Sequence, residues 1–141
     1  MVIESGCVNL CKFRIMGVIN VTPDSFSDGG QFIKNGRINT DSILRTVDSM
    51  LVAGADIIDV GGESTRPGAD PVGVDHEVSR VVPVLELIRT HFDTLLSVDT
   101  SSAKLIREAV SAGANFINDV RALRRPGALE AAVESKLPVC L

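Results

Sequence analysis

Cysteine is scarce in these 141 residues: Cys7, Cys11 and Cys140 are too few, and odd in number, for a disulfide framework. No further Cys or His stands near Cys7 and Cys11 to complete a metal set, so the thiols read as reduced and structurally incidental. Histidine is rarer still. His76 and His91 fall within or at the end of an amphipathic helix pattern, with no nucleophile or metal to pair with, and read as surface residues. No apolar run approaches the length of a membrane span, and the N-terminus lacks the basic-then-apolar pattern of a signal peptide. A basic excess is also missing: fourteen Lys and Arg against eighteen Asp and Glu leave a net charge of −4. That argues against generic binding to nucleic acid or an anionic membrane, while leaving room for a local anion site. A cytoplasmic protein is expected. No P-loop, HExxH or nucleophile-elbow pattern occurs.

Against those absences, 45% of residues are hydrophobic and 23% charged, the balance of a single globular domain with a real core. The organising stretch runs from Gly54 to Ala69. Gly54 closes a helix, Ile57-Ile58-Asp59-Val60 reads as a strand covered on both faces, and Gly61-Gly62 makes a tight exit. Glu63, Ser64, Thr65, Arg66 and Pro67 follow as a polar loop. A buried carboxylate is expensive unless satisfied, so Asp59 is either hydrogen-bonded internally or faces a site. The loop beyond it favours the site.

Residues 1–12 give a weak pattern, a short leading strand or hairpin. Phe13 to Val21 reads as a strand running into the turn-rich segment Thr22 to Gly30. Helices are expected over Thr40 to Ala53, Val74 to Thr90, Ser102 to Ala112 and Ala128 to Ser135. Asn39 to Ser42 offer N-caps for the first, Gly54 and Gly113 act as stops, and Pro83 should kink or split the second. Further strands are expected over Thr94 to Val98, Asn115 to Ile117 and Leu137 to Leu141. Strict alternation of strand and helix implies a parallel sheet with right-handed crossovers.

An internal echo sharpens this. Ala53-Gly-Ala-Asp-Ile-Ile-Asp59 recurs as Ala112-Gly-Ala-Asn-Phe-Ile-Asn118, an offset of 118 − 59 = 59 residues. Two strand–helix units per repeat favour a barrel over a doubly wound sheet with its reversal. The fold class expected is therefore α/β, a parallel (β/α)8 TIM barrel. Eight units at this pace need roughly 240 residues. Residues 1–141 are thus expected to be the N-terminal part of one barrel domain, its first five strands and four helices, cut within the fifth strand.

Four strands end in short amides or acids: Asn20, Asp59, Asp99 and Asn118. Each alone is an ordinary turn former or cap. Together, at the strand ends where barrel sites form, they make an acceptor-rich array suited to a flat nitrogen heterocycle presenting N–H and NH2 groups. The two long exits, Thr22 to Gly30 and Gly61 to Ala69, read as lids or binding loops. Arg66 is the only cation in either; with Ser64, Thr65 and the Gly-Gly amides it holds an anion, unless it is a solvated loop residue. Asn20 is an oxygen donor of the kind that Mg2+ takes beside substrate phosphates.

Met16-Gly-Val-Ile-Asn-Val-Thr-Pro-Asp-Ser-Phe-Ser-Asp-Gly-Gly30 and Ile57-Ile-Asp-Val-Gly-Gly-Glu-Ser-Thr-Arg-Pro-Gly68 resemble the two signature segments of the dihydropteroate synthase family. Ser97-Val-Asp-Thr100 and Ile117-Asn-Asp119 match further family positions, and the resemblance runs from about Ile15 to Leu141. It implies a barrel enzyme of folate biosynthesis that joins 4-aminobenzoate to a dihydropterin carrying a CH2-diphosphate, releasing diphosphate, with Mg2+ as cofactor and a homodimer at full length. By that resemblance Asp99 and Asn118 bind the pterin edge, Asp59 supports the same pocket, Asn20 coordinates Mg2+ on the diphosphate, and Thr65 contacts the diphosphate. Phe26, Thr65 and Pro67 shape the 4-aminobenzoate pocket, which sulfonamides occupy in this family. Arg66, Asp24 and Asp28, the catalytic set, belong to the two loops that close over substrate.

The family's later motifs are missing: an Asp-Pro-Gly with a Gly/Phe-rich segment, a Ser-Arg-Lys and a final Arg-x-His. They supply a further pterin acid, the pterin lysine and the main cationic diphosphate site, so the chain alone is expected to have no synthase activity. One alternative is a non-catalytic half-barrel that binds pterin or self-associates through open edges. Another is a pterin-binding barrel of the methyltetrahydrofolate methyltransferase kind, against which both long loops argue, because methyl transfer leaves no diphosphate to hold.

Overall fold

A computed structural model describes residues 13–22, 32–34, 36–63 and 73–141. The expected leading strand or hairpin of residues 1–12 lies outside the described residues. In chain order the elements are β1 (Met16–Asn20), β2 (Ile33–Lys34), β3 (Arg37–Ile38), α1 (Thr40–Val52), β4 (Ile57–Gly61) and α2 (Val74–His91). Then come β5 (Leu95–Asp99), α3 (Ala103–Ser111), β6 (Phe116–Asn118), α4 (Ala128–Ser135) and β7 (Val139–Cys140).

The main sheet has the order β1-β4-β5-β6-β7 and every pairing in it is parallel. Each strand is laid beside its predecessor without reversal, the winding of a barrel and not of a doubly wound sheet. The register carries a second mark of a barrel. Asp59 pairs with Ser97, and Ser97 with Phe116, whereas the sequence echo equates Asp59 with Asn118. The hydrogen-bonded row has slipped by two residues over two strands, which is the pace of eight strands with a shear of about 8. The chain is thus α/β and holds half of such a barrel.

Strand alternation separates two faces. Ile19, Ile58, Val60, Leu96, Val98 and Ile117 are fully buried beneath the helices, against residues such as Ile43, Val47, Leu85 and Ile106. Truncating any of these strand residues to Ala should cost about 2–5 kcal/mol. The opposite face, the barrel interior, rises in layers through the register. Met16, Ile57 and Leu95 come first, then Val18, Asp59, Ser97 and Phe116, and last Asn20, Gly61, Asp99, Asn118 and Cys140. The interior is apolar at the amino ends of the strands and polar at their carboxyl ends.

The helices form where the sequence signals stand. Asn39 caps α1, its Oδ1 accepting from Ser42 N at 3.2 Å, and Ser102 caps α3 by accepting from Leu105 N at 3.4 Å. Pro83 does not split α2, which runs unbroken through it. The ring is exposed, so the carbonyl it leaves without a helix partner faces the solvent side. One element was not expected. The β2–β3 hairpin pairs Ile33 with Ile38 and Lys34 with Arg37, anchored by the 1% exposed Phe32. Two residues per strand give no alternation to count.

At the amino ends of the strands, two clamps hold the bottom of the sheet. Arg89 donates to Thr94 O at 3.0 Å, Gly113 O at 2.8 Å and Asn115 Oδ1 at 2.6 Å. Asp56 accepts from Arg14 at 2.7 Å and from Ile15 N at 3.0 Å. In barrels this end serves stability and the opposite end serves chemistry.

Candidate functional site

The polar residues at the carboxyl ends of β4, β5 and β6 converge on the interior face. Asn20, Asp99 and Asn118 occupy one register level, while Asp59 sits one layer deeper beside Ser97. The four strand-end groups therefore share a face but not a single row, as the barrel shear dictates. Asn118 Nδ2 donates to Asp59 Oδ2 at 3.0 Å and bridges the two layers.

Asp59 is 2% exposed, and burial pushes its carboxyl above the ordinary range, with Ser97 and Asn118 pulling the other way. The Ser97 hydroxyl is a neighbour that lowers the Asp59 carboxyl; beyond it, Asp59 Oδ1 and Ser97 Oγ are buried with no other hydrogen-bond partner. Burial, together with the carboxylates of Asp59, Asp119 and Glu77, pushes Asp99 up to about 6, Arg121 opposing them. Glu77 is raised chiefly by burial and accepts from Thr100 Oγ1 at 2.7 Å. Asn118 has spent one N–H on Asp59 and keeps its carbonyl oxygen and a second N–H for a ligand. The wall is thus rich in acceptors with one amide donor, and its buried Asp59 Oδ1 has acceptor capacity left for a ligand or a bound water.

Gly61 shapes the space beside the wall. A Cβ there would stand 3.2 Å from Asn20 Oδ1 and 3.4 Å from Asp99 Oδ2, so its absence leaves a small cradle between two oxygen donors. Among the described residues no group of three or more His, Cys, Asp or Glu is arranged to hold a metal ion. The cradle fits a hard cation that keeps its remaining places for water and substrate oxygens, as Mg2+ does, and does not fit an all-protein cage.

Of the expected site residues, Asn20, Asp59, Asp99 and Asn118 are brought together. Asp24, Phe26, Asp28, Thr65, Arg66 and Pro67 lie outside the described residues. The sequence reading missed a polar hub just beyond the wall, in which Glu63 receives Arg121 at 3.0 Å and Arg125 at 3.2 Å. Glu63 and Arg121 are separated by 58 residues, and no local pattern joins them.

The described residues thus form a parallel half-barrel whose carboxyl rim carries a buried acid–amide wall, at the end of the strands where barrel folds place their small-molecule sites. Residues 16–141 match the family described as pterin binding enzyme, and the chain belongs to that family. It is 53% identical over 138 residues to dihydropteroate synthase of Haemophilus influenzae, covering 98% of this chain and 48% of that protein. The enzyme of the same name from Escherichia coli K12 is 55% identical over 138 residues, covering 98% and 47%. A crystal structure of Yersinia pestis dihydropteroate synthase with a sulfonamide drug complex superposes with a TM-score of 0.88 at 52% identity, covering 100% of this chain and 50% of that one. The chain spans about half the length of the curated relatives it matches.

Proposed function

We propose that residues 1–141 form the N-terminal, pterin-binding part of a dihydropteroate synthase barrel. The whole enzyme condenses 4-aminobenzoate with (7,8-dihydropterin-6-yl)methyl diphosphate to give 7,8-dihydropteroate and diphosphate. The observation that carries this reading is the buried, unpartnered Asp59 Oδ1 beneath Asp99 and Asn118, at the rim of a chain in the pterin-binding family. The N–H and NH2 edge of a pterin supplies the donors that these oxygens lack.

In this reaction the C–O bond to diphosphate breaks as pterin-stabilised positive charge develops on the CH2 carbon, the arylamine nitrogen bonds to that carbon, and the amine then gives up a proton. Asp59, Asp99 and Asn118 hold the ring edge and so fix the position of the CH2 carbon on which the charge develops. Asn20 would hold Mg2+, which would neutralise charge on the diphosphate oxygens. Thr65 contacts the diphosphate, Phe26 and Pro67 join it around 4-aminobenzoate, where sulfonamides compete, and Asp24, Asp28 and Arg66 act as the loop groups that exclude water. A cytoplasmic homodimer at full length completes the reading. Among the described residues no helix is long and apolar enough to cross a membrane.

A competition titration tests it, setting the pterin diphosphate with Mg2+ against methyltetrahydrofolate. The chain should prefer the pterin diphosphate, and Asp59→Ala should weaken that binding by about ten- to a hundredfold. Preference for methyltetrahydrofolate would move the chain to the methyl-transfer reading.

A further inference from the structure

One polar network ties together the ends of β4, β5 and β6, and the chemistry above makes no use of it. Glu63, four residues after Asp59, is 9% exposed and accepts from Arg121 Nη1 at 3.0 Å, Arg121 Nη2 at 3.4 Å and Arg125 Nη2 at 3.2 Å. Arg121 Nη1 also donates to Ser101 Oγ at 3.2 Å, two residues after Asp99. That hydroxyl donates to Asp119 Oδ1 at 2.5 Å, beside Asn118. Asp119 is fully buried and accepts as well from Arg121 N at 2.9 Å and Leu123 N at 2.8 Å. The turn so formed holds Ala122 and Leu123 at φ 54 and 57. Side-chain-bearing residues avoid this left-handed region unless their surroundings impose it. The imposed turn aims Arg121 back across the strand ends, onto Glu63 and Ser101.

We propose that Arg121 is a positioning residue for the acid–amide wall. Through Glu63, Ser101 and Asp119 it fixes the spacing of the three strand ends, and so the placement of Asp59, Asp99 and Asn118 relative to one another. As a statement about pterin binding it rests on the reading of that wall given above. Arg121 need not touch the ring, since it works through the groups it joins, and its charge opposes the crowd of carboxylates around Asp99.

The test compares Arg121→Met, which keeps the apolar stem, with Arg121→Lys and with Arg124→Met. Arg124 is exposed and lies outside the network, so its variant removes the same charge without touching the brace. Two readouts are taken on the 141-residue chain: binding of 6-hydroxymethylpterin by its own fluorescence, and the Asn118 side-chain amide signal in a nitrogen-15 spectrum without ligand. Arg121→Met should bind the pterin about tenfold more weakly, Arg121→Lys should fall between it and the parent, and Arg124→Met should bind like the parent. In Arg121→Met the Asn118 signal should shift or broaden while the melting curve reports a folded chain. Should that variant not fold, Glu63→Gln breaks the same ion pair with little change in volume and takes its place. A folded variant with the parent's Asn118 signal overturns the proposal, whether or not pterin binds. Failure of the parent to bind pterin, with an Asn118 signal that still responds to Arg121→Met, supports the brace and overturns the pterin reading alone.

Discussion

Asp99 has three carboxylates and one guanidinium acting on it, and its ionisation follows from that company. Raised from 3.8 to about 6, it keeps in the folded chain a proton that the unfolded chain has already lost between those values. Stability from this group is therefore fully present below about pH 4 and is lost as pH rises through 6. The shift corresponds to at most about 3 kcal/mol, and residual solvent contact should reduce it to about 1–2 kcal/mol. Asp99→Asn removes the titrating group. Its gain over the parent in urea midpoint should grow between pH 4 and pH 7, and a gain independent of pH would remove Asp99 as the source. Pterin binding should weaken in the same variant, a trade of stability for function. Asn20, Asp59, Asp99 and Asn118 were legible in the sequence because a polar residue ending an apolar run is a local signal. The depth of Asp59 was not, because it depends on barrel shear, and neither were the arginines on Glu63, which reach it from another loop.

The sequence echo has a structural meaning at the level of elements, since both copies build the same helix-to-strand joint. Gly54 and Gly113 take φ 101 and 95 just after their helices. Gly54 N bonds Leu51 O and Gly113 N bonds Val110 O; Ala55 N bonds Met50 O and Ala114 N bonds Ala109 O. Asp56 and Asn115 then each accept from a backbone N–H of the neighbouring strand, Ile15 and Leu96, and from an arginine, Arg14 and Arg89. The joints differ in one respect. A Cβ at Gly54 would meet nothing within 4 Å, whereas one at Gly113 would stand 3.0 Å from Arg89 Nε. Gly54→Ala should therefore cost about 1 kcal/mol, the backbone term alone. Gly113→Ala should cost about 2 kcal/mol or more, because Arg89 must also move. Equal losses in thermal unfolding would show that Arg89 yields freely. Arg89→Met removes the side-chain donor from Thr94 O and Gly113 O and leaves Asn115 Oδ1 with Leu96 N alone, and should lower stability by about 2–3 kcal/mol. It lies at the opposite end of the strands from the wall, so pterin affinity of the folded variant should not change. The repeat made these joints readable in advance. The β2–β3 hairpin, with no repeat and no period, was not.

At the scale of the molecule, the barrel order and the polar rim could be read from alternation and repeat, while the balance of charge at the rim depends on contacts between segments far apart in sequence. Asp59, Asp99, Asp119 and Glu77 crowd one end of the sheet, and the cation that acts on Asp99 there, Arg121, is already bound to Glu63. On the proposed reading this surface would attract the donor edge of a pterin and repel a diphosphate. Two of its neighbours are also open: Asn20 is exposed and Val18 is 45% exposed on the interior face. The 141 residues assayed alone should therefore separate ring binding from turnover. Without Mg2+, 6-hydroxymethylpterin should bind at least as tightly as its diphosphate. Added Mg2+ should favour the diphosphate selectively, and Asn20→Ala should blunt that gain by about three- to tenfold. With both substrates and Mg2+ present, chromatography should find no dihydropteroate, because ring binding alone leaves the leaving group without the cationic walls expected of the longer relatives. Dihydropteroate formed by the purified chain would mean that the charges needed for turnover are already supplied within these 141 residues, and the carboxylate crowd at the rim could not then be what limits it.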